Sequence, residues 1–277
     1  MNTIQSHYAA PDLLSRITRG LAALGESPAT VEVDTLGAVD EFHLGGAAAT
    51  GELVELLGAG PGDHVLDVGA GLGGPARHLA RATGCRVMGI DLSPDFCAAG
   101  NRLSAWTGLA DRVRLEPGDA ADLGRYGPAA FDGAWSIHVG MNLEHKTPIY
   151  AEIARVLKPG APLVIYDLLA AGAGGPRYPT PWASRPEQSF LATRDEMAAH
   201  LAAAGFSVVE VRDRTREGTA LLEEAFARAE EAGGPPALGI HLIMGAGSPE
   251  RMTNVREGLA SGRLAPTVIA ARRVAAA

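Results

Sequence analysis

Apolar positions along the chain change period near residue 60, and that change divides it. Residues 11–25 place apolar side chains at helical spacing, with Pro11 suited to the first turn and Gly25 to the stop. The stretch 26–44 reads as a loop. A second helix, GGAAATGELVELLGAG, ends in the punctuation Gly60-Pro61-Gly62. From there short continuous apolar runs appear. His64–Val68, closed by glycines, has the pattern of a strand buried on both faces. GGPARHLARATG predicts a helix and CRVMGID a second strand. SPDFCAAGNRLSAWTG predicts a third helix, with Ser93 as N-cap and Pro94 in its first turn. VRLEPGD and FDGAWSIHV continue as strands three and four. The helix TPIYAEIARVL, a KPG turn and the strand APLVIYDLL follow. Strands alternating with helices at this spacing predict an α/β fold: a mostly parallel sheet with helices on both faces.

After residue 170 the alternation loosens. A loop rich in proline and aromatics (171–190) precedes the helix RDEMAAHLAAAG and the strand FSVVEV. Helical patterns cover roughly 217–232 and 249–261, and the last apolar run is PTVIAARRV. The expected plan has three parts: an amino-terminal helical lid segment (1–60), a Rossmann-like core (61–170), and the remainder of the core with substrate-cover insertions (171–277). Covers of this kind lie over the ligand edge of an open sheet.

Composition narrows the function classes. The net charge is −8, and the 24 basic residues form no run, which argues against a nucleic-acid partner. No apolar stretch reaches the roughly 18 residues of a membrane span, and the first residues lack a signal-peptide pattern, so a cytoplasmic location is expected. Cys85 and Cys97 have no CxxC spacing and sit among apolar neighbours. No two histidines stand four apart as in HExxH, so no metal is expected. A small molecule is the expected partner; a homodimer stays open.

The most informative stretch is Asp67-Val-Gly69-Ala-Gly71-Leu-Gly73-Gly74, which follows a predicted strand and opens a predicted helix. Glycines there let the backbone turn sharply and approach a ligand closely. The spacing departs from G-x-G-x-x-G, and an acidic residue stands two positions before it. Asp91 ends the second strand, 24 residues after Asp67, where a carboxylate can accept ribose hydroxyls. Asp119, after the third strand, is placed to accept from an adenine amino group. A dinucleotide oxidoreductase is disfavoured by the glycine spacing and by the lysines, Lys146 and Lys158, neither of which follows a tyrosine by four.

As an ordered set, VLDVGAGLGG, GIDLS, GDAADL, FDGAWSIHV and LKPGAPLVIYD resemble the motifs of class I S-adenosylmethionine-dependent methyltransferases. DEFHLGGAAAT and IHVGMN further resemble bacterial small-molecule enzymes near the sarcosine/dimethylglycine N-methyltransferases and the tocopherol and sterol C-methyltransferases. The resemblance implies a Rossmann-like seven-stranded sheet whose final hairpin is antiparallel, a helical lid, and S-adenosyl-L-methionine as cofactor. Carried over, Asp67, Gly69, Gly71 and Gly73 would hold its methionine and ribose end. Asp91 and Leu92 would hold the ribose and flank the adenine, Asp119 and Ala120 would hold the adenine edge, and Ser136 would face the methionine. The implied reaction is methyl transfer to a small metabolite, with an amine nitrogen as first expectation and carbon of a prenyl, quinone or sterol-like molecule as the alternative.

Methyl transfer is an in-line displacement that rests on positioning, with a base where a proton must leave. His138, after strand four, is the first expected catalytic residue, with His43 and the lid residue Tyr8 next. Glu144 and His145 read as flanking a helix. Asp167 reads either as an acceptor for a substrate amine or as a cap. Tyr178, Trp182 and Phe190 read as pocket or loop packing, and His241 and Asn254 as polar exceptions in the cover.

Overall fold

The computed structural model describes residues 12–275. Helices α1 (Leu13–Ala23), α2 (Val33–Asp40) and α3 (Gly46–Leu57) precede the sheet. Then come β1 (His64–Val68), α4 (Gly74–Thr83), β2 (Arg86–Asp91), α5 (Pro94–Trp106), β3 (Val113–Pro117), β4 (Gly133–Ile137), α6 (Lys146–Val156) and β5 (Pro162–Ala170). The chain ends with α7 (Arg194–Ala203), β6 (Phe206–Asp213), α8 (Thr215–Glu231), a short turn at His241–Met244, α9 (Ser248–Ala260) and β7 (Leu264–Arg273). Helix α2 falls in the stretch expected to be a loop. Its tetrad of buried residues, Val33, Leu36, Val39 and Asp40, has helical spacing, but a charged residue in that face hides it from a pattern of apolar positions.

The strands form one seven-stranded sheet in the order β3-β2-β1-β4-β5-β7-β6. It is parallel except for β7, which runs antiparallel to β5 and β6. β1 shows why this pattern makes a two-sided core. Val65 joins one buried cluster with α3 and α4, whereas Leu66 and Val68 join the other, on the α6 and α7 side. The chain runs outward from β1 through β2 to β3, then returns to place β4 on the other side of β1. A crevice therefore opens at the carboxyl ends of β1 and β4, where ligands meet open α/β sheets. A third apolar cluster covers this edge: Ile17, Leu21, Leu36 and Val39 from α1 and α2 pack on Leu72, Phe96 and Leu238.

At the far edge, a register shift in β6 between Val208 and Glu210 turns Val209 outward, 65% exposed. Among the described residues no helix is long and apolar enough to cross a membrane.

Candidate active site

The crevice is a cavity of about 210 Å³. Its floor is the β1–α4 turn. Gly69 has φ +72°, and a Cβ there would stand 2.3 Å from Val139 Cγ2; Gly71 has φ +53° and opens onto free space. Each therefore needs glycine for a positive φ, and the first also because Val139 leaves no room. The Gly71 N–H donates to Asp91 Oδ2 at 2.9 Å and the Ser93 N–H to Asp91 Oδ1 at 2.8 Å. These two bonds fix the carboxylate at the end of β2 while leaving lone pairs toward the cavity.

Asp67 is 3% exposed, lines the cavity and, among the described residues, has no hydrogen-bond partner for Oδ2. Burial pushes its carboxyl up to about 7, aided by the charge of Asp91 and opposed by the Trp135 indole and the Arg77 guanidinium. Burial raises Asp91 as well. Two desolvated carboxyl groups facing one cavity are matched to a cationic ligand. Beneath the turn, the fully buried Arg77 holds the loop in shape. Its Nη2 donates to Leu72 O at 2.7 Å and Asp40 Oδ2 at 2.5 Å, and its Nη1 to Gly100 O and Ser104 Oγ, each at 3.1 Å. At the mouth, Asp119 lies exposed, with Oδ1 accepting from the Ala121 N–H at 2.9 Å.

Two histidines stand across from the glycine turn. His138 ends β4 with φ +55°, a left-handed conformation uncommon for histidine that costs on the order of 1–3 kcal/mol. Its backbone N–H donates to Tyr166 O at 2.7 Å, and its Nε2 is buried with no partner among the described residues. Burial, with His43 adding to it, holds its imidazole well below the usual range, so it is neutral near pH 7. His43 lies with its ring centroid 6.0 Å from that of His138, and burial lowers it to about 4. Tyr166 completes the aromatic group at 5.0 Å from His138 and 6.1 Å from His43.

Of the residues expected from sequence, Asp67, Gly69, Gly71, Asp91, Leu92, Asp119, Ala120, His43 and His138 all line this cavity. Gly73 and Ser136 are not lining residues. Gly73 is the N-cap of α4, where a Cβ would meet Leu115 and Arg77, and Ser136 is buried in β4 with an unpartnered hydroxyl. Tyr8 lies outside the described residues. Asp167 caps a turn, accepting from the Val139 N–H at 2.8 Å and the Gly140 N–H at 3.1 Å. Asn254 binds Pro179 O at 2.8 Å, away from the lining, and Trp182 lines the cavity with its N–H on Ser189 Oγ at 2.8 Å. Sequence reasoning missed Asp40 and Phe42, which line the wall from the end of α2, and the two-helix cover residues Ile240, Ile243, Met252 and Val255. The one available signal was the acid-aromatic run ahead of His43. Among the described residues no group of three or more His, Cys, Asp or Glu is placed to hold a metal ion.

Residues 66–165 match the family described as a methyltransferase domain. A sterol 24-C-methyltransferase from Eremothecium gossypii is 39% identical over 42% of this chain and 31% of its own length. The chain spans between 28% and 48% of the first curated relatives it matches. A geranyl diphosphate methyltransferase solved with GPP and sinefungin is 25% identical, with a TM-score of 0.66 over 82% of this chain and 78% of that one. The [4+2]-cyclase SpnF, also 25% identical, superposes with a TM-score of 0.69 over 96% of this chain and 94% of its own. The match falls on the stretch that holds the glycine turn and the acidic strand end, so residues 66–165 are similar to the methyltransferase domain family at the cavity floor itself.

Proposed function

We propose that the protein is an S-adenosylmethionine-dependent methyltransferase acting on an uncharged, largely apolar small molecule, at a hydroxyl oxygen or a nucleophilic carbon. The cofactor fits the residues present: a buried carboxyl at Asp67 whose Oδ2 has no partner among the described residues, a fixed carboxylate at Asp91, a glycine turn open to the cavity, and Asp119 at the mouth. Asp67 would face the cationic methionine end, Asp91 the ribose hydroxyls and Asp119 the adenine edge, with Leu92 and Ala120 flanking the base. When bound, it supplies an electrophilic methyl group on a sulfonium.

The observation that carries the acceptor class is the division of polarity within the cavity. Its lining carboxylates are Asp40, Asp67, Asp91 and Asp119, three of which stand on the turn and strand ends of the cofactor half and one of which is tied to Arg77. Among the described residues, the segments after residue 170 contribute apolar side chains alone to the lining, among them Trp182, Ile240, Ile243, Met252 and Val255, and β5 adds Leu168. An ammonium acceptor would find no free counter-charge there, so the amine expected from sequence is the weaker reading. His138 offers a neutral, buried Nε2 without a partner, the acceptor for a proton leaving a hydroxyl or a methylated carbon. The sterol enzyme named above is titled for an uncharged, largely apolar acceptor, which supports this reading, whereas geranyl diphosphate joins an apolar chain to a charged diphosphate.

The test is transfer of labelled methyl from S-adenosylmethionine into a fractionated small-molecule extract. Label is expected in the organic-soluble fraction. Label confined to water-soluble amines would overturn the acceptor class, and absence of S-adenosylmethionine binding would overturn the whole reading.

A further inference from the structure

Behind the cavity wall lies a second polar group that the reading above does not use. Glu41, at the carboxyl end of α2, is buried, with its side chain 2% exposed, and sits between three partners. Thr50 Oγ1, on α3 and fully buried, donates to Glu41 Oε2 at 2.7 Å and also lies 3.1 Å from His43 Nε2. His43 Nδ1 stands 3.7 Å from Glu41 Oε2. On the other side, His78 Nδ1 of α4 stands 3.8 Å from Glu41 Oε1, and the His78 side chain is 18% exposed. A row of exchangeable groups thus runs from a residue lining the cavity to one that touches solvent, hydrogen-bonded from His43 through Thr50 to Glu41 and separated by 3.8 Å between Glu41 and His78.

We propose that Glu41, Thr50 and His78 form a proton path linking His43 in the cavity wall to solvent, through which the wall gains or loses one charge as a cationic ligand leaves or enters. In one arrangement Glu41 carries the proton and His43 is neutral. Passing it through the Thr50 hydroxyl to His43 Nε2 leaves a carboxylate beside an imidazolium, with no net change. Passing it to His78 Nδ1, once that ring closes the 3.8 Å gap to hydrogen-bond distance, while His78 Nε2 hands a proton to water, leaves the wall one unit more negative. The balance needs no other reactant.

The surroundings place Glu41 where its proton is held but movable. It closes the carboxyl end of a helix, where the backbone dipole disfavours a second negative charge. Asp40 and Asp67 face it from α2 and β1, and Arg77 faces it from α4 while paired with Asp40. Burial, only partly offset by the Thr50 bond, pushes its carboxyl up to about 8. His78 is lowered by burial, with Arg81 lowering it further and Asp34, the ion-pair partner of Arg81, raising it. A sulfonium in the cavity favours the carboxylate, so the inference about the cation rests on the proposed function, whereas the path itself does not.

Histidine ring-nitrogen NMR on the full chain tests the path without any ligand. In the unaltered protein the His43 ring shifts should show a step near pH 8, reporting the Glu41 proton through Thr50. Glu41→Gln, which keeps the shape but cannot exchange a proton, should remove that step. Thr50→Val should shrink it at His43 to what the direct 3.7 Å approach of Glu41 produces, while leaving it unchanged at His78. Flat His43 shifts between pH 6 and 9 in the unaltered protein, or a step that survives Glu41→Gln, would overturn the path. Should Glu41→Gln fail to fold, Thr50→Val, which is close to isosteric, decides: a His43 step of unchanged size in that variant overturns the path. Calorimetry at pH 8 in two buffers then counts protons released on binding. S-adenosylmethionine should release about half a proton more than S-adenosylhomocysteine, and Glu41→Gln should abolish the difference. An unchanged difference in that variant overturns the charge-balancing role. No binding heat from either ligand refutes the methyltransferase reading instead, and the NMR result still decides the path.

Discussion

Removing one partner of the Asp40–Arg77 pair tests how the amino-terminal cover is fastened to the cofactor turn. Arg77 is fully buried and its guanidinium has four partners: Asp40, Leu72 O, Gly100 O and Ser104 Oγ. Asp40→Ala removes the one negative charge and leaves the cation with carbonyl and hydroxyl dipoles only. Breaking a buried pair in this way costs about 3–5 kcal/mol, because the surviving charge stays desolvated. The three remaining bonds argue for the lower end, about 3 kcal/mol. At roughly 2–4 °C per kcal/mol for a chain of this size, thermal unfolding should move down by about 6–12 °C in calorimetry. The double variant Asp40→Ala/Arg77→Met should recover part of that loss, since the orphaned charge is gone, giving a coupling of at least about 1 kcal/mol. A loss below about 2 °C for Asp40→Ala, or a double variant that costs the sum of the single ones, would refute this account of the clamp.

Three further outcomes follow from the same geometry. His138→Asn, a residue that tolerates positive φ, should lower the rate of methyl transfer by about 10²–10⁴-fold while S-adenosylmethionine affinity in calorimetry changes little; an unchanged rate removes His138 from the chemistry. Asp91→Ala loses charge-assisted bonds to the Gly71 and Ser93 N–H groups, each worth about 1.5–3 kcal/mol, and should weaken cofactor binding by at least about 10²-fold. Asp67 gives opposite pH trends for binding and stability. Affinity for the cation should fall as pH drops below about 7, where the carboxyl takes up its proton. Its folded-state value is raised, so its contribution to stability is greatest below about 4 and is lost as pH rises from about 4 to 7. Asp67→Asn should flatten both profiles between those limits, and profiles that keep their slopes would rule out Asp67 as their source.

The alternation from His64 to Ala170 was legible because parallel strands buried on both faces read as short apolar runs, and each is closed by a turn residue. The cofactor half of the cavity was legible for a related reason. Asp67, Gly69, Gly71 and Asp91 stand at fixed offsets from those strands, so finding β1 and β2 finds them. Helix α2 escaped because its buried face ends in Asp40, whose partner Arg77 is far along the chain and makes burial of the charge tolerable only in three dimensions. Glu41 escaped for the same reason, since Thr50 and His78 reach it from two other helices. Ser136 and Gly73 were misjudged in the opposite sense. Both sit beside lining residues in sequence, but the strand alternates and the helix start turns, so each faces packing where its neighbour faces the cavity.

That asymmetry has a physical basis. The sheet edge meets the cofactor half with backbone turns and strand ends, whose geometry is set by the fold. Much of the opposite wall is made by residues 181–182 and 240–255, in segments held by contacts of their own: Arg251 to Thr180 O, Asn254 to Pro179 O and Trp182 to Ser189. Such segments can change their side chains without disturbing the sheet. A cyclase and a methyltransferase that both superpose on this chain differ in the reaction their titles name while sharing the same sheet. Changing Met252 or Ile243 to a larger or a charged side chain should therefore alter which acceptor is taken while leaving S-adenosylmethionine affinity within a few-fold. Exchange of cover residues that moved cofactor affinity as much as acceptor choice would mean that the two walls act as one unit, contrary to the division of polarity seen in the cavity.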